Sequence, residues 1–258
     1  MMPAYFFAHG APSLVLERHA YTDFLTGFAA GLPKQPKAIV LFSAHWEHTT
    51  QMISTADTYE TIYDFSGFPD ALYRITYPAR GDLQLSEDIR ALFARHGIPS
   101  RFDGERGLDH GAWAVLKLLF PDAGEIPVVA LSVNRQLTNG EQYRIGSALA
   151  ELREQDVLII GSGGTVHSLR RLSWGAETAD DWALTFDAWL QEKLEAWDTE
   201  ALFDYRNRAP HAAEAVPTNE HFIPLLIAMG AGSPTRRAAL LHRSYQLGSL
   251  SLSCWQFG

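Results

Sequence analysis

The sequence predicts an α/β fold: one domain, residues 1–258, with a central, largely parallel sheet flanked by helices. Three observations predict it. Short apolar runs, partly β-branched, alternate with longer amphipathic stretches. The runs have the unbroken apolar character of strands buried on both faces. The chain has 258 residues, 47% hydrophobic and 20% charged, which is ordinary globular composition and suits one domain of this architecture.

The strands are Ala4–Ala8, Ala38–Ser43, Ile126–Ser132 and Val157–Gly161. Helical periodicity marks Leu16–Ala30, Leu83–His96, Ala112–Leu119, Gly140–Glu154, Asp180–Trp197 and His221–Met229. Arg237–Tyr245 and Leu250–Phe257 read as extended segments that pair as a hairpin around Leu247-Gly248-Ser249. Asp57–Asp82, rich in Tyr, Phe, Pro and Gly, and Asn207–Asn219, with Pro210 and Pro217, read as long loops. Such loops are either surface excursions or binding loops and lids. There is no repeat, low-complexity tract or flexible linker.

Composition excludes several functions. The formal net charge is −9, and basic pairs such as Arg170-Arg171 and Arg236-Arg237 are isolated. Nucleic-acid binding, which needs clustered cations against phosphate, is therefore disfavoured. No apolar run approaches the ~18 residues of a membrane span, and the first basic residue is Arg18, so a cytoplasmic protein is expected. The single cysteine, Cys254, rules out an internal disulfide and a thiolate zinc site. With ten histidines beside it, any metal chemistry points to imidazole and carboxylate ligands.

The histidines fall where such a fold builds sites, beyond the carboxyl ends of its strands. His9 follows the first strand and His45 the second. His167 follows the fourth and its Gly161-Ser162-Gly163-Gly164 turn. His110 and His221 each stand just before a helix. Taken singly, each is more often a satisfied structural group than a ligand; their convergence on one edge is what points to a site. His19, His48, His96, His211 and His242 lack that placement, although His48 and His211 lie nearest to it.

Neutral imidazole binds Fe(II) and Zn(II), and two or three protein ligands leave positions open for substrate. Glu220 is a candidate carboxylate ligand or a partner that orients His221. His167 is a candidate fourth ligand or general base. Other motifs are weak. Gly161-Ser162-Gly163-Gly164 lacks the Lys-Ser/Thr of a phosphate loop, Ser162 is in no nucleophile elbow, and there is no His-Glu-x-x-His helix.

Taken in order, His9-Gly-Ala-Pro, Ser43-Ala-His45-Trp, Tyr63-Asp-Phe-Ser-Gly-Phe-Pro69, Asp109-His110-Gly-Ala-Trp113, Gly161-Ser-Gly-Gly-Thr-Val-His167-Ser-Leu169 and Pro217-Thr-Asn-Glu-His221-Phe form a recognisable set. The set resembles the DOPA-dioxygenase-type branch of the class III extradiol ring-cleavage dioxygenases, relatives of the catalytic subunit of protocatechuate 4,5-dioxygenase. The resemblance runs from about His9 to Pro224. It implies a non-haem metal held by His9, His45 and His221, with Fe(II) in active dioxygenases and Zn(II) seen in some bacterial members. It also implies His167 as base toward substrate or as a further metal ligand, and His110 as a second histidine steadying oxygen or substrate. The substrates implied are a catechol such as DOPA and O2. Ala11 and Gly164 depart from the family's usual Ser and Asn.

Trp46, Trp113, Tyr63, Phe65 and Phe222 are candidates for the pocket's aromatic wall, at least half of them being ordinary core. Arg106, Arg206 and Arg208 are candidates to meet a substrate carboxylate. Rival readings are a zinc hydrolase on the same scaffold and a non-catalytic metal binder. Monomer and homodimer are equally open.

Overall fold

A computed structural model describes residues 1–176 and 178–258. Its strands are β1 (Ala4–Ala8), β2 (Ala38–Glu47), β3 (Gln51–Ser54), β4 (Ser100–Asp103), β5 (Val128–Val133), β6 (Val157–Gly163), β7 (Ala238–His242), β8 (Tyr245–Gln246), β9 (Leu250–Ser251) and β10 (Cys254–Phe257). The helices are α1 (Ala20–Gly27), α2 (Leu83–Arg95), α3 (His110–Leu119), α4 (Asn139–Ala148), α5 (Asp181–Glu195), α6 (Thr199–Phe203), α7 (Tyr205–Arg208), α8 (Ala212–Ala215) and α9 (Ile223–Ala231).

Eight strands form one sheet in the order β4-β3-β5-β2-β6-β1-β10-β7. The central pairs β5·β2, β2·β6 and β6·β1 are parallel, as expected for apolar runs joined through helices. The β1·β10 and β10·β7 pairs are antiparallel, so the C-terminal segments do pair as a hairpin, and that hairpin extends the sheet. The small β8·β9 ribbon rises out of it and turns at Leu247 and Gly248, both at positive φ.

Alternation along the central strands divides the core between the two faces. Phe6, Val40, Phe42, Val129 and Ile159 pack with α2, α4, α5 and α9. Tyr5, Phe7, Ile39, Leu41 and Ile160 pack with α1 and α3. Among the described residues no helix is long and apolar enough to cross a membrane.

The structure departs from the sequence expectations in six places. β2 runs on through His45 to Glu47, with a break in register between Phe42 and Glu47; such irregularities re-aim side chains at strand ends. The first predicted helix is shorter, with 3₁₀ turns at Pro12–Leu16 and Phe28–Gly31 around α1. The run Gly140–Glu154 is α4 followed by a 3₁₀ turn that ends at Asp156 in the left-handed region. His221 precedes α9 rather than beginning it. Two strands, β3 and β4, were not predicted, and part of the Asn207–Asn219 stretch is helical as α7 and α8.

Candidate active site

Five histidines meet at the carboxyl ends of β1, β2 and β6. His9 leaves β1, held through its backbone N–H to the Gly163 carbonyl at 3.1 Å. His45 lies in the re-aimed end of β2. His110 is the first residue of α3, whose N-cap Asp109 accepts from the Ala112 N–H and from the Ser43 hydroxyl at 2.6 Å. His221 lies in the turn before α9, its carbonyl accepting from the Gly164 N–H at 2.9 Å.

Two glycine positions make this closeness feasible. A Cβ on Gly163 would lie 2.1 Å from the His221 carbonyl oxygen, so the Gly-rich segment is a close-packing surface for the chain before α9. A Cβ on Gly111 would lie 2.8 Å from Ser43 Oγ and 2.9 Å from His45 Cδ2.

Hydrogen bonds set the tautomers. The Ser162 hydroxyl donates to the Gly111 carbonyl at 2.5 Å and lies 3.1 Å from His9 Nδ1, so it accepts a proton donated by Nδ1. Asp64 Oδ1 accepts from the His110 backbone N–H and faces His110 Nδ1, both at 3.0 Å, while Oδ2 is 3.4 Å from His45 Nδ1. Burial pushes the Asp64 carboxyl up, but hydrogen bonding and charge from His110 outweigh it and hold it at about 2. Glu220 Oε1 faces His221 Nδ1 at 3.1 Å. Burial raises this carboxyl too, and the bonds from His221 and Thr218 hold it at about 2. An ionised carboxylate only accepts, so the facing nitrogens carry the protons.

His9, His45 and His221 therefore each keep an Nε2 lone pair. The Nε2 atoms of His9 and His45 face each other at 3.1 Å, and His221 Nε2 is buried without a hydrogen-bond partner. Ligand atoms of the three residues all fall within 4.8 Å of one another. Lone pairs so placed repel unless a cation lies among them, and the donor set is that of an imidazole-ligated metal. Burial first, and then the neighbouring histidines, push His9 well below its ordinary value and His45 down to about 3, which keeps both neutral and able to ligate.

His167 stands beside this triad. Its ring stacks on that of His221 with centroids 3.5 Å apart, and it groups with His221 and Glu220 rather than with His9 and His45. Its backbone N–H donates to the Ala215 carbonyl at 2.9 Å, which ties it to α8. Burial and the neighbouring His221 hold its imidazole at about 3.

The histidines open into a cavity of about 790 Å³. Its aromatic wall differs from expectation. Trp113 and Trp46 are buried in the core on one face of the sheet, Phe222 is buried in the core on the other, and Tyr63 and Phe65 pack against the first of these. The aromatics that line the cavity are Phe68, Trp174 and Tyr245. The candidate arginines do not line it. Arg106 is bound to Asp109 and to the His45 carbonyl, and Arg208 pairs with Glu200 and Asp204. His48 and His211 do not line it either. Asp64, Ser162 and Glu17 were missed by sequence reasoning. Asp64 and Ser162 carried a signal, as polar residues within the Tyr63–Pro69 and Gly161–Leu169 motifs, and Glu17 carried none.

An α/β sheet carrying three convergent imidazole lone pairs at a cavity defines a candidate metal centre open to small molecules. Comparison with known proteins makes the class specific. Residues 15–253 match the family of the catalytic LigB subunit of aromatic ring-opening dioxygenase. The chain is 39% identical to a 4,5-DOPA dioxygenase extradiol of Beta vulgaris over 98% of this chain and 95% of the relative. It is 35% identical to a 4,5-DOPA dioxygenase extradiol of Escherichia coli strain K12 over 100% of this chain and 95% of the relative. The crystal structure of an uncharacterized protein from Escherichia coli K12 superimposes with a TM-score of 0.85 at 31% identity, covering 100% of both chains. The chain belongs to the LigB family, and it is an aromatic ring-opening dioxygenase of the extradiol kind, a metal-dependent oxidoreductase that acts on small aromatic substrates with O2.

Proposed function

We propose that His9, His45 and His221 hold a non-haem metal, Fe(II) for activity and Zn(II) as an alternative occupant, and that the ring opened is that of a catechol, DOPA or a related diol. The observation that carries the reading is the set of three Nε2 lone pairs, two of them 3.1 Å apart and the third buried without a partner. The names of the relatives from Beta vulgaris and Escherichia coli support DOPA as substrate.

When bound, the metal supplies two functions: it makes the diol more acidic and brings it together with oxygen. The remaining work falls to the chain. His167, kept neutral by its surroundings, takes a proton from a catechol hydroxyl. Its grouping with Glu220 and His221 supports a base more than a fourth ligand. His110 has its Nδ1 held by Asp64, which leaves Nε2 for the cavity. Once that nitrogen carries a proton it donates to negative charge developing on the reacting oxygen atoms, and Asp64 balances the imidazolium. Phe68, Leu172 and Trp174 cover the ring and exclude water. We place the enzyme in the cytoplasm, where the buried Cys254 would stay reduced.

The test is to strip the protein of metal, reload Fe(II) without air, add a catechol panel that includes DOPA, and admit oxygen. Oxygen uptake matched to ring-opened product, and lost in His45→Ala, is the expected result. Stoichiometric Fe(II) with no uptake for any catechol would sink the proposal.

A further inference from the structure

Glu17 lines the same cavity, at the end of the 3₁₀ turn that follows Pro12. Two carboxylates line the cavity among the described residues. Glu220 is committed to His221, whereas Glu17 touches none of the five clustered histidines. Neutral donors hold it from both sides. The Ser13 hydroxyl donates to Oε1 at 2.6 Å, and the Gln246 amide donates to Oε2 at 2.6 Å, with His19 Nε2 3.1 Å from Oε2. Ser13 and Gln246 fix the carboxylate without cancelling its charge, and Oε1, with the single bond from Ser13, keeps a lone pair. Among the described residues no Lys or Arg lines the cavity. Trp174, 83% exposed, adds an aromatic face at the rim, a surface that attracts cations.

We propose that Glu17 is the specificity-determining residue that receives a cationic arm of the substrate, so that the enzyme selects catechols bearing an ammonium group over those bearing only a carboxylate. This rests on the catechol-cleaving reading above. An ammonium has three N–H donors, one of which can be offered to the open lone pair on Glu17 Oε1. A carboxylate arm entering the same space would meet a like charge with no lysine or arginine beside it to offset it. An amino-acid catechol then binds with its ammonium toward Glu17 and its carboxylate toward solvent.

The test uses three catechols with the same two-carbon arm: dopamine (cationic), 4-ethylcatechol (neutral) and 3-(3,4-dihydroxyphenyl)propanoate (anionic). Their Kd values are measured by calorimetry on the Fe(II)-loaded protein without oxygen, and oxygen is then admitted. Dopamine is expected to bind about tenfold tighter than 4-ethylcatechol, with the propanoate weakest; the step is modest because Glu17 is 30% exposed and screened. Glu17→Gln should bring the dopamine-to-ethylcatechol ratio toward one, and Glu17→Lys should reverse the order in favour of the propanoate. Because each ratio is taken within one protein, partial loss of folding does not mimic these results. Equal Kd values in the wild type, weakening of all three alike in Glu17→Gln, or no binding by any of them would overturn the proposal. The expected order of binding with no oxygen consumed would instead keep Glu17's role and overturn ring cleavage of catechols.

Discussion

The Ser162 hydroxyl fixes the tautomer of His9: bonded to the Gly111 carbonyl, it is an acceptor on the side where His9 Nδ1 lies 3.1 Å away. The opposite nitrogen is thereby left with the lone pair that the proposed metal would take. Ser162→Ala should lower metal affinity by about 10–100-fold while the fold persists, since such supporting partners carry that much of a site's affinity. Competition with a chelator measures it; unchanged affinity would show that His9 keeps its orientation unaided.

Gly111 tolerates no side chain. Gly111→Ala puts a methyl 2.8 Å from Ser43 Oγ and 2.9 Å from His45 Cδ2. Overpacking of this kind costs about 1–3 kcal/mol. A lowered Tm together with sub-stoichiometric metal is expected. A normal Tm with full metal would mean that α3 shifts without cost.

His45→Ala should lose the metal, whereas His110→Ala and His167→Ala should keep it. For the latter two, kcat/KM should fall by about 10²–10⁴, the range for a positioned proton-transfer group. Metal analysis beside steady-state kinetics separates the two behaviours. Metal loss in His167→Ala would turn that residue from base into ligand.

Acid should unfold the metal-free protein early. His45 and His167 are held at about 3 and His9 well below its ordinary value, each mainly by burial, against 6.5 for an unperturbed imidazole. In the window below 6.5 the unfolded chain binds protons that the folded chain refuses. The stability is therefore fully present above 6.5 and lost as pH falls toward 3, at up to about 1.4 kcal/mol per pH unit for each group. Denaturant melts of metal-free protein at pH 7 and pH 5 check this. Equal midpoints would mean that the cluster takes up protons without strain.

Asp187, 0% exposed, receives hydrogen bonds from Thr165, Tyr245 and Ser251 and faces Arg243. It joins α5 to the segment before His167 and to the β8·β9 ribbon. Burial pushes its carboxyl up, with Arg243 and the three hydroxyls working against that rise. Asp187→Ala takes a partner from the buried Thr165 and Ser251 hydroxyls, from the partly buried Tyr245 hydroxyl and from a partly buried cation, so a loss of about 3–5 kcal/mol is expected by chemical denaturation. A loss under about 1 kcal/mol would show that water replaces the carboxylate.

The sequence disclosed the centre of this molecule better than its margins. β1, β2, β5 and β6 are buried on both faces and so read as unbroken apolar runs. β3 (Gln-Met-Ile-Ser) and β4 (Ser-Arg-Phe-Asp) lie toward one edge of the sheet, and their mixed polarity gave no such signal. The histidines were legible because they follow strand ends. Asp64 took its meaning only from a loop folding back over His45 and His110. The aromatic wall was misassigned for a physical reason. Trp46 and Phe222 each directly follow a site histidine, and adjacent positions in a strand or at a helix start face different ways, whereas Trp113 lies one turn along α3 from His110 and is buried in the core. Trp174 and Tyr245 reach the cavity from segments remote from those motifs.

The pairing of β1 has a consequence for synthesis. The strand that leads into His9 finds its partners far along the chain, Ile159 on one side and Phe257 on the other, both facing Ala4. Until β6 is made during synthesis β1 has no parallel neighbour, and His9 has neither Ser162 nor Gly163 to hold it. The three-histidine cluster can therefore be assembled only after more than half of these residues, and the turn bearing His221, have left the ribosome.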